Sequence, residues 1–191
     1  MANQLKNRNV AILIAPVGTE QVEFTEPKKA VENAGANVDV ISFEPGEAQT
    51  MNHDVDKGEK FPVDKVVTDV SAKDYDALIV PGGCVGADRL RGNADIVSFV
   101  RDFFAQQKPV GVICHGPWTL VEADVVRDRT LTSYPTLQTD IRNAGGNWVD
   151  KEVVTDQGLV TSRNPDDLPA FCAKIVEEFA EGKHKAQARS V

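Results

Sequence analysis

Cys114 and His115 stand side by side and could do covalent chemistry together. They follow the apolar run Val110-Gly111-Val112-Ile113 and precede Gly116-Pro117. The run reads as a buried strand, and Pro117 suits the first position of a helix. A cysteine at such a junction stands clear of the sheet at a helix N-terminus, where free N–H groups and the macrodipole favour the thiolate. A thiolate attacks electrophilic carbonyls, and a neighbouring imidazole can move the protons. This is the layout of a nucleophile elbow with sulfur in place of the serine oxygen. The plainer role for His115 is a turn residue that caps backbone groups.

An elbow needs a parallel sheet beneath it. Val10–Ala15 reads as a central strand, Glu20–Ala34 as a helix closed by Gly35, and Asn37–Ser42 as the second strand, which together open the chain as a βαβ unit. The polar stretch from Glu44 to Asp69 reads as an excursion of short antiparallel strands, one of them holding Val66-Val67. Asp76–Val80 is the next parallel strand and ends at Pro81-Gly82-Gly83. Ala94–Gln107 is an amphipathic helix with Ile96, Val97, Val100, Phe103 and Phe104 inward. After the elbow come a helix at Pro117–Ala123, a strand at Thr130–Thr132, a helix at Leu137–Asn143 and strand-like pairs at Trp148-Val149 and Val153-Val154. A turn at Asp156-Gln157-Gly158 leads into a strand at Leu159–Thr161. A last helix starts near Asn164-Pro165 and runs to about Glu181. Residues 182–191 read as a basic, frayed tail. The economical architecture for 1–191 is one domain, a three-layer sandwich with a mostly parallel central sheet and helices on both faces. Ligands gather at the carboxyl ends of such strands. The loop Pro16–Glu20, the turn Pro81–Cys84 and the elbow would meet there.

The chain has 191 residues and a formal net charge of −8. That balance argues against nucleic acid or an anionic membrane as partner. No stretch has the length and apolarity of a membrane span, and the N-terminal residues lack a signal-peptide core, so the expected location is cytoplasmic. Three scattered cysteines, Cys84, Cys114 and Cys172, make no disulfide framework. Cys172 reads as a core residue, and Cys84 as a loop residue near the elbow. The histidines and cysteines show no metal-ligand spacing, and Gly82–Gly86 lacks the ending of a phosphate loop, so neither metal nor nucleotide cofactor is expected. His53 and His184 read as solvated, and Arg91 and Arg163 as surface ion-pair residues by default.

Taken in order, the Glu20 loop, Pro81-Gly82-Gly83, Asp88-Arg89-Leu90-Arg91, Ile113-Cys114-His115-Gly116-Pro117, Thr132-Ser133-Tyr134-Pro135 and Ser162-Arg163-Asn164-Pro165 resemble the PfpI family of the ThiJ/PfpI superfamily. The likeness runs from Val10 to about Phe179. It implies a flavodoxin-like fold and a stress-protective enzyme. Cys114 would be the nucleophile, and Glu20 a protonated acid beside its sulfur. His115 would be the base, and Asp88 the acid that orients it, reached from a neighbouring subunit of a homodimer or larger homo-oligomer. The N–H groups of Gly83 and His115 would hold an oxyanion. From the residues alone, Glu20 is equally an acid favoured at a helix start, and Asp88 a cap for a short turn. Two features depart from the family pattern: Val112 two residues before the nucleophile, and one extra residue in Cys84-Val85-Gly86-Ala87.

The family's members include peptidases and enzymes described as glyoxalases or deglycases. Expected substrates are therefore a peptide or a small carbonyl compound. The alternative is a redox sensor or chaperone in which Cys114 is oxidised. A glutamine-amidotransferase-like domain is the weaker idea and is set aside, since it expects a late His-x-Glu pair and His184 is followed by Lys185 and Ala186.

Overall fold

Strand β1 (Asn9–Leu13) sends Val10 and Ile12 to one side of the sheet and Ala11 and Leu13 to the other, and all four are fully buried. Both faces must therefore be covered, as in parallel sheets generally. The computed structural model describes residues 3–185 and 187. Its remaining elements are β2 (Val17–Glu20), α1 (Gln21–Asn33), β3 (Asn37–Ser42), β4 (Glu47–Asn52), β5 (Asp56–Pro62), β6 (Lys65–Val66), β7 (Ala77–Val80), α2 (Cys84–Arg91), α3 (Ala94–Ala105), β8 (Val110–Ile113), α4 (Pro117–Glu122), β9 (Thr130–Leu131), α5 (Gln138–Asn143), β10 (Asn147–Trp148), β11 (Val153–Asp156), β12 (Leu159–Ser162) and α6 (Leu168–Glu181).

The main sheet has the order β11-β12-β8-β7-β1-β3-β6. Every pairing in it is parallel except β11 with β12. Helices α1 and α6 cover one face through Phe24, Val31, Phe171, Ile175 and Phe179. Helices α2 to α5 cover the other, with Leu90, Phe103, Phe104, Leu120 and Ile141. The flavodoxin-like three-layer sandwich is therefore the fold of this chain.

Several local expectations need correction. Val17–Glu20 is a strand, parallel to β4 in a small sheet β2-β4-β5. Four residues with one glycine carry too little periodicity to show it. Val66 lies in β6, which joins the main sheet parallel to β3, and Val67 begins a 3-10 turn. Cys84–Ala87 is the first half of α2 and not an open loop. Its two alanine-sized positions, Gly86 and Ala87, are buried, so tertiary packing forms a helix that propensity does not announce. On α3 the inward residues include Phe99. The tail expectation falls partly on residues 186 and 188–191, outside the described residues. Of the rest, His184 N–H donates to Gln107 O at 2.9 Å, and Gln187 is fully buried. That part docks instead of fraying. His184 is also paired with Glu178 at 2.8 Å and is not simply solvated.

Room for the elbow comes from Gly116. A Cβ there would sit 2.7 Å from Val112 Cγ1 and 2.8 Å from Val80 O. The bulk of Val112 before the nucleophile is thus offset by a missing side chain after it. Gly116→Ala is expected to lower unfolding free energy by about 1–3 kcal/mol through overpacking, read from urea denaturation.

Candidate active site

Cys114 adopts φ of 61°, a left-handed conformation uncommon for any residue but glycine. Such strain costs on the order of 1–3 kcal/mol and persists only where surrounding bonds dictate it. Here Cys114 N–H donates to Ser162 O at 3.1 Å, Tyr134 N–H donates to Cys114 O at 2.8 Å, and Gly116 N–H donates to Ile113 O at 2.9 Å. The chain turns sharply, and the side chain points to the face carrying α1, among the cluster that includes Ile113 and Phe24.

The acid beside the sulfur is Glu23, and not Glu20. Glu23 is fully buried. Its Oε2 accepts the Gly82 N–H at 3.0 Å, and its carboxyl lies against Cys114. A Cβ placed on Gly82 would lie 2.5 Å from Glu23 Oε2, 2.6 Å from Cys114 Cβ and 2.9 Å from His115 N. All three groups converge on the one residue that has no side chain. Glu20 is the N-cap of α1, and Glu23 lies three residues further on the same helix face. That step carries the carboxyl inward beneath the turn. Pro27 cannot donate to the Glu23 carbonyl, which loosens the helix there. The Glu20 carboxylate instead accepts the His53 N–H at 3.0 Å and the Asp54 N–H at 3.2 Å, at the tip of the β4–β5 hairpin.

His115 is nearly buried, and its Nδ1 lies 3.2 Å from Cys114 Sγ. The ring stacks on Tyr134, centroids 4.6 Å apart at 24°, and meets Trp118 edge-on at 5.3 Å. Burial lowers its pKa below 6.5, and the Asp54 charge works against that. The imidazole is therefore a neutral base at neutral pH. Asp88 does not reach it within this chain. Its side chain is 62% exposed and pairs with Arg91 at 3.0 Å. Arg91 in turn lies over the Trp118 ring at 4.7 Å, so two side chains separate Asp88 from His115.

The thiol is held protonated. Burial first, and then the Glu23 charge, push Cys114 well above its ordinary value, while the Gly83 and His115 N–H groups pull the other way. Burial thus opposes the pull toward a thiolate that the sequence expects from the start of the six-residue α4. Burial likewise pushes the Glu23 carboxyl up to about 8. Gly83, at φ of 86°, aims its N–H at the sulfur, where the sequence placed an oxyanion donor. Cys84 and Cys172 stay outside the cavity wall, and burial pushes Cys172 up to about 12. Arg163 pairs with Asp167 at 2.8 Å and Asp150 at 2.7 Å.

The cavity over the sulfur has a volume of about 270 Å³, and Glu20, Glu23, His53, Asp54, Gly83, Cys114, Tyr134 and Pro165 line it. Glu23 and Asp54 escaped the sequence reading. Glu23 carries a faint signal, one helical turn after Glu20. Asp54 carries none, since only hairpin pairing brings it here. Among the described residues, the groups able to converge on an ion are Glu178, Glu181 and His184, at the end of α6 and apart from this cavity.

A strained cysteine elbow beside a histidine and a buried acid, on a flavodoxin-like sheet, defines a class of cysteine-centred α/β proteins. The DJ-1/PfpI family matches residues 8–178, and the chain belongs to that family. It is 43% identical over 167 residues to protein/nucleic acid deglycase 2 of Escherichia coli (strain K12), covering 86% of this chain and 94% of that one. It is 41% identical over 165 residues to YraA of Bacillus subtilis (strain 168), provisionally named a cysteine protease, with the same coverage of 86% and 94%. Among solved structures, Drosophila melanogaster DJ-1beta superposes with a TM-score of 0.81 at 27% identity, covering 99% of this chain and 95% of that one. No helix among the described residues is long and apolar enough to cross a membrane.

The raised Glu23 pKa has a thermodynamic consequence. A carboxyl held protonated in the folded state binds more protons than in the unfolded chain between pH 4.5 and about 8, so stability falls as pH rises through that window. Glu23→Gln is expected to flatten the fall, measured by urea denaturation across the pH range.

Proposed function

We propose that this protein is a stress-protective enzyme that acts on small dicarbonyl compounds or their adducts, with Cys114 as nucleophile. The observation that carries this reading is the 3.2 Å contact between Cys114 Sγ and His115 Nδ1 above the buried Glu23. A neutral imidazole beside a neutral thiol is a base in waiting. As Sγ bonds to the aldehyde carbon of methylglyoxal, its proton passes to Nδ1. The Gly83 and His115 N–H groups face the oxygen that gains charge. Proton return to that oxygen gives a hemithioacetal. A proton then leaves the former aldehyde carbon, and another arrives at the adjacent carbon, with Glu23 and His115 as exchange partners. The resulting thioester is hydrolysed by water, which releases lactate and restores the thiol. No external oxidant or reductant is needed, because one carbon is oxidised and its neighbour reduced.

The small cavity favours such substrates over a folded polypeptide. The relative named as a deglycase supports the same choice, and the one with a protease name keeps peptides in view. Val17, Val85 and Tyr134 are exposed apolar residues, and Tyr134 lines the mouth. They support association with a second copy, which the resemblance also implies.

Methylglyoxal consumption by the purified protein is expected to fall to background in Cys114→Ser and by about 10²–10⁴ in His115→Ala. An unstructured peptide should remain intact in the same assay. Equal turnover by Cys114→Ser would remove the sulfur from the reaction.

A further inference from the structure

Glu178 and Glu181 lie three residues apart on α6 and so share a helix face. The helix stops at Gly182, whose φ of 86° lets the chain turn back. His184 settles on that end, its N–H donating to Gln107 O at 2.9 Å. A short turn follows, in which the Gln187 N–H donates to His184 O at 2.9 Å. The Arg129 guanidinium clamps this turn, donating to Asp156 O at 3.2 Å and to Gln187 O. One oxygen of Glu178, one of Glu181 and a ring nitrogen of His184 thereby lie within 4.8 Å of one another.

Two observations separate this set from an ordinary ion pair. His184 Nε2 approaches Glu178 Oε1 to 2.8 Å, yet that nitrogen is buried with no aligned hydrogen bond. A nitrogen and a carboxylate oxygen that close up without a proton aimed between them resemble two ligands of one cation, whose donor atoms sit about 3 Å apart. The second observation is Gln187. It is fully buried, and neither polar atom of its amide has a hydrogen-bond partner among the described residues. Its Oε1 stands at the edge of the same imidazole. A Cβ on Gly158 would clash with that oxygen and lie 2.9 Å from His184 Cδ2, the ring atom bonded to Nε2. Buried polar atoms left unpaired in this way call for a partner that the chain does not supply. Among the described residues, no lysine or arginine pairs with Glu178 or Glu181, and the nearby Lys174 is taken by Glu177 at 2.6 Å.

We propose that Glu178, Glu181, His184 and the Gln187 amide form a binding site for one divalent first-row transition ion such as Zn²⁺. An imidazole with carboxylates suits such an ion, whereas Mg²⁺ and Ca²⁺ prefer oxygen alone, and no cysteine belongs to the set to favour a softer metal. Glu181 Oε2 is 4.0 Å from His184 Nε2, and its exposed side chain can close that gap by changing rotamer. The ion would tie the end of α6 to the turn that follows it. The site stands apart from the Cys114 cavity, so the inference does not rest on the chemistry proposed there. Histidine and cysteine spacing does not reveal the set, because three of its four members are of other types.

The test is calorimetric titration of Zn²⁺ into the tag-free, full-length chain after treatment with EDTA and dialysis. It is run in Cys114→Ser, so that the elbow thiol cannot act as a ligand. One ion per chain is expected, with no displacement by Mg²⁺, and a melting temperature that rises with Zn²⁺ and falls back on adding EDTA. In the same background His184→Ala should abolish binding, and Glu181→Gln and Gln187→Ala should each weaken it by about 10–100-fold. Melts without metal identify any variant that fails to fold, and Glu181→Gln, at an exposed position, then carries the comparison. Unchanged binding in a folded His184→Ala would overturn the inference. So would binding that is present in the wild type and absent from Cys114→Ser, or no saturable uptake of Zn²⁺ at all. Displacement by equimolar Mg²⁺ would overturn the choice of a transition ion.

Discussion

Burying Glu23 against Cys114 is the constraint around which the site is organised. Two acidic groups share one desolvated space under Gly82, and neither gives up its proton easily. The His115 imidazole lies in contact with that thiol. The Gly83 and His115 N–H groups are aimed at the sulfur.

Precision in that arrangement comes from residues that lack side chains. Gly82 lets Glu23, Cys114 and the His115 amide meet at one point, and Gly116 leaves space for Val112 and the end of β7. Gly83 turns its N–H toward the sulfur in a backbone conformation that a side chain would resist. The strained φ of Cys114 is held by bonds from β12 and from Tyr134, so elements distant in sequence fix the geometry of one residue.

The imidazole is set by the aromatic rings packed against it. Tyr134 and Trp118 fix the plane of the ring, and the hairpin tip carries a carboxylate to its vicinity. Glu20, whose place in the motif suggests contact with the sulfur, serves instead as the anchor of that hairpin. Two glutamates three residues apart thus divide the labour: one lies beside the Cys114 sulfur and the other holds the wall of the cavity.

The parallel strands, the elbow and the capped final helix were legible in the chain itself, because hydrophobic runs, Pro117 and Asn164-Pro165 act locally. So were Cys114, His115 and the Gly83 amide, which sit at strand ends where the chain must turn. The choice between Glu20 and Glu23 was not legible. It depends on where α1 begins and which of its faces α6 and the sheet bury. Asp54 became a neighbour of Cys84 and the cavity only through pairing of β4 with β5 and of β2 with β4, contacts that no local pattern encodes. Within the chain, Asp88 lies on α2, a helix that packing stabilises more than propensity, and pairs there with Arg91. Local physics determined which residues could react, and long-range packing decided which acids stand beside them.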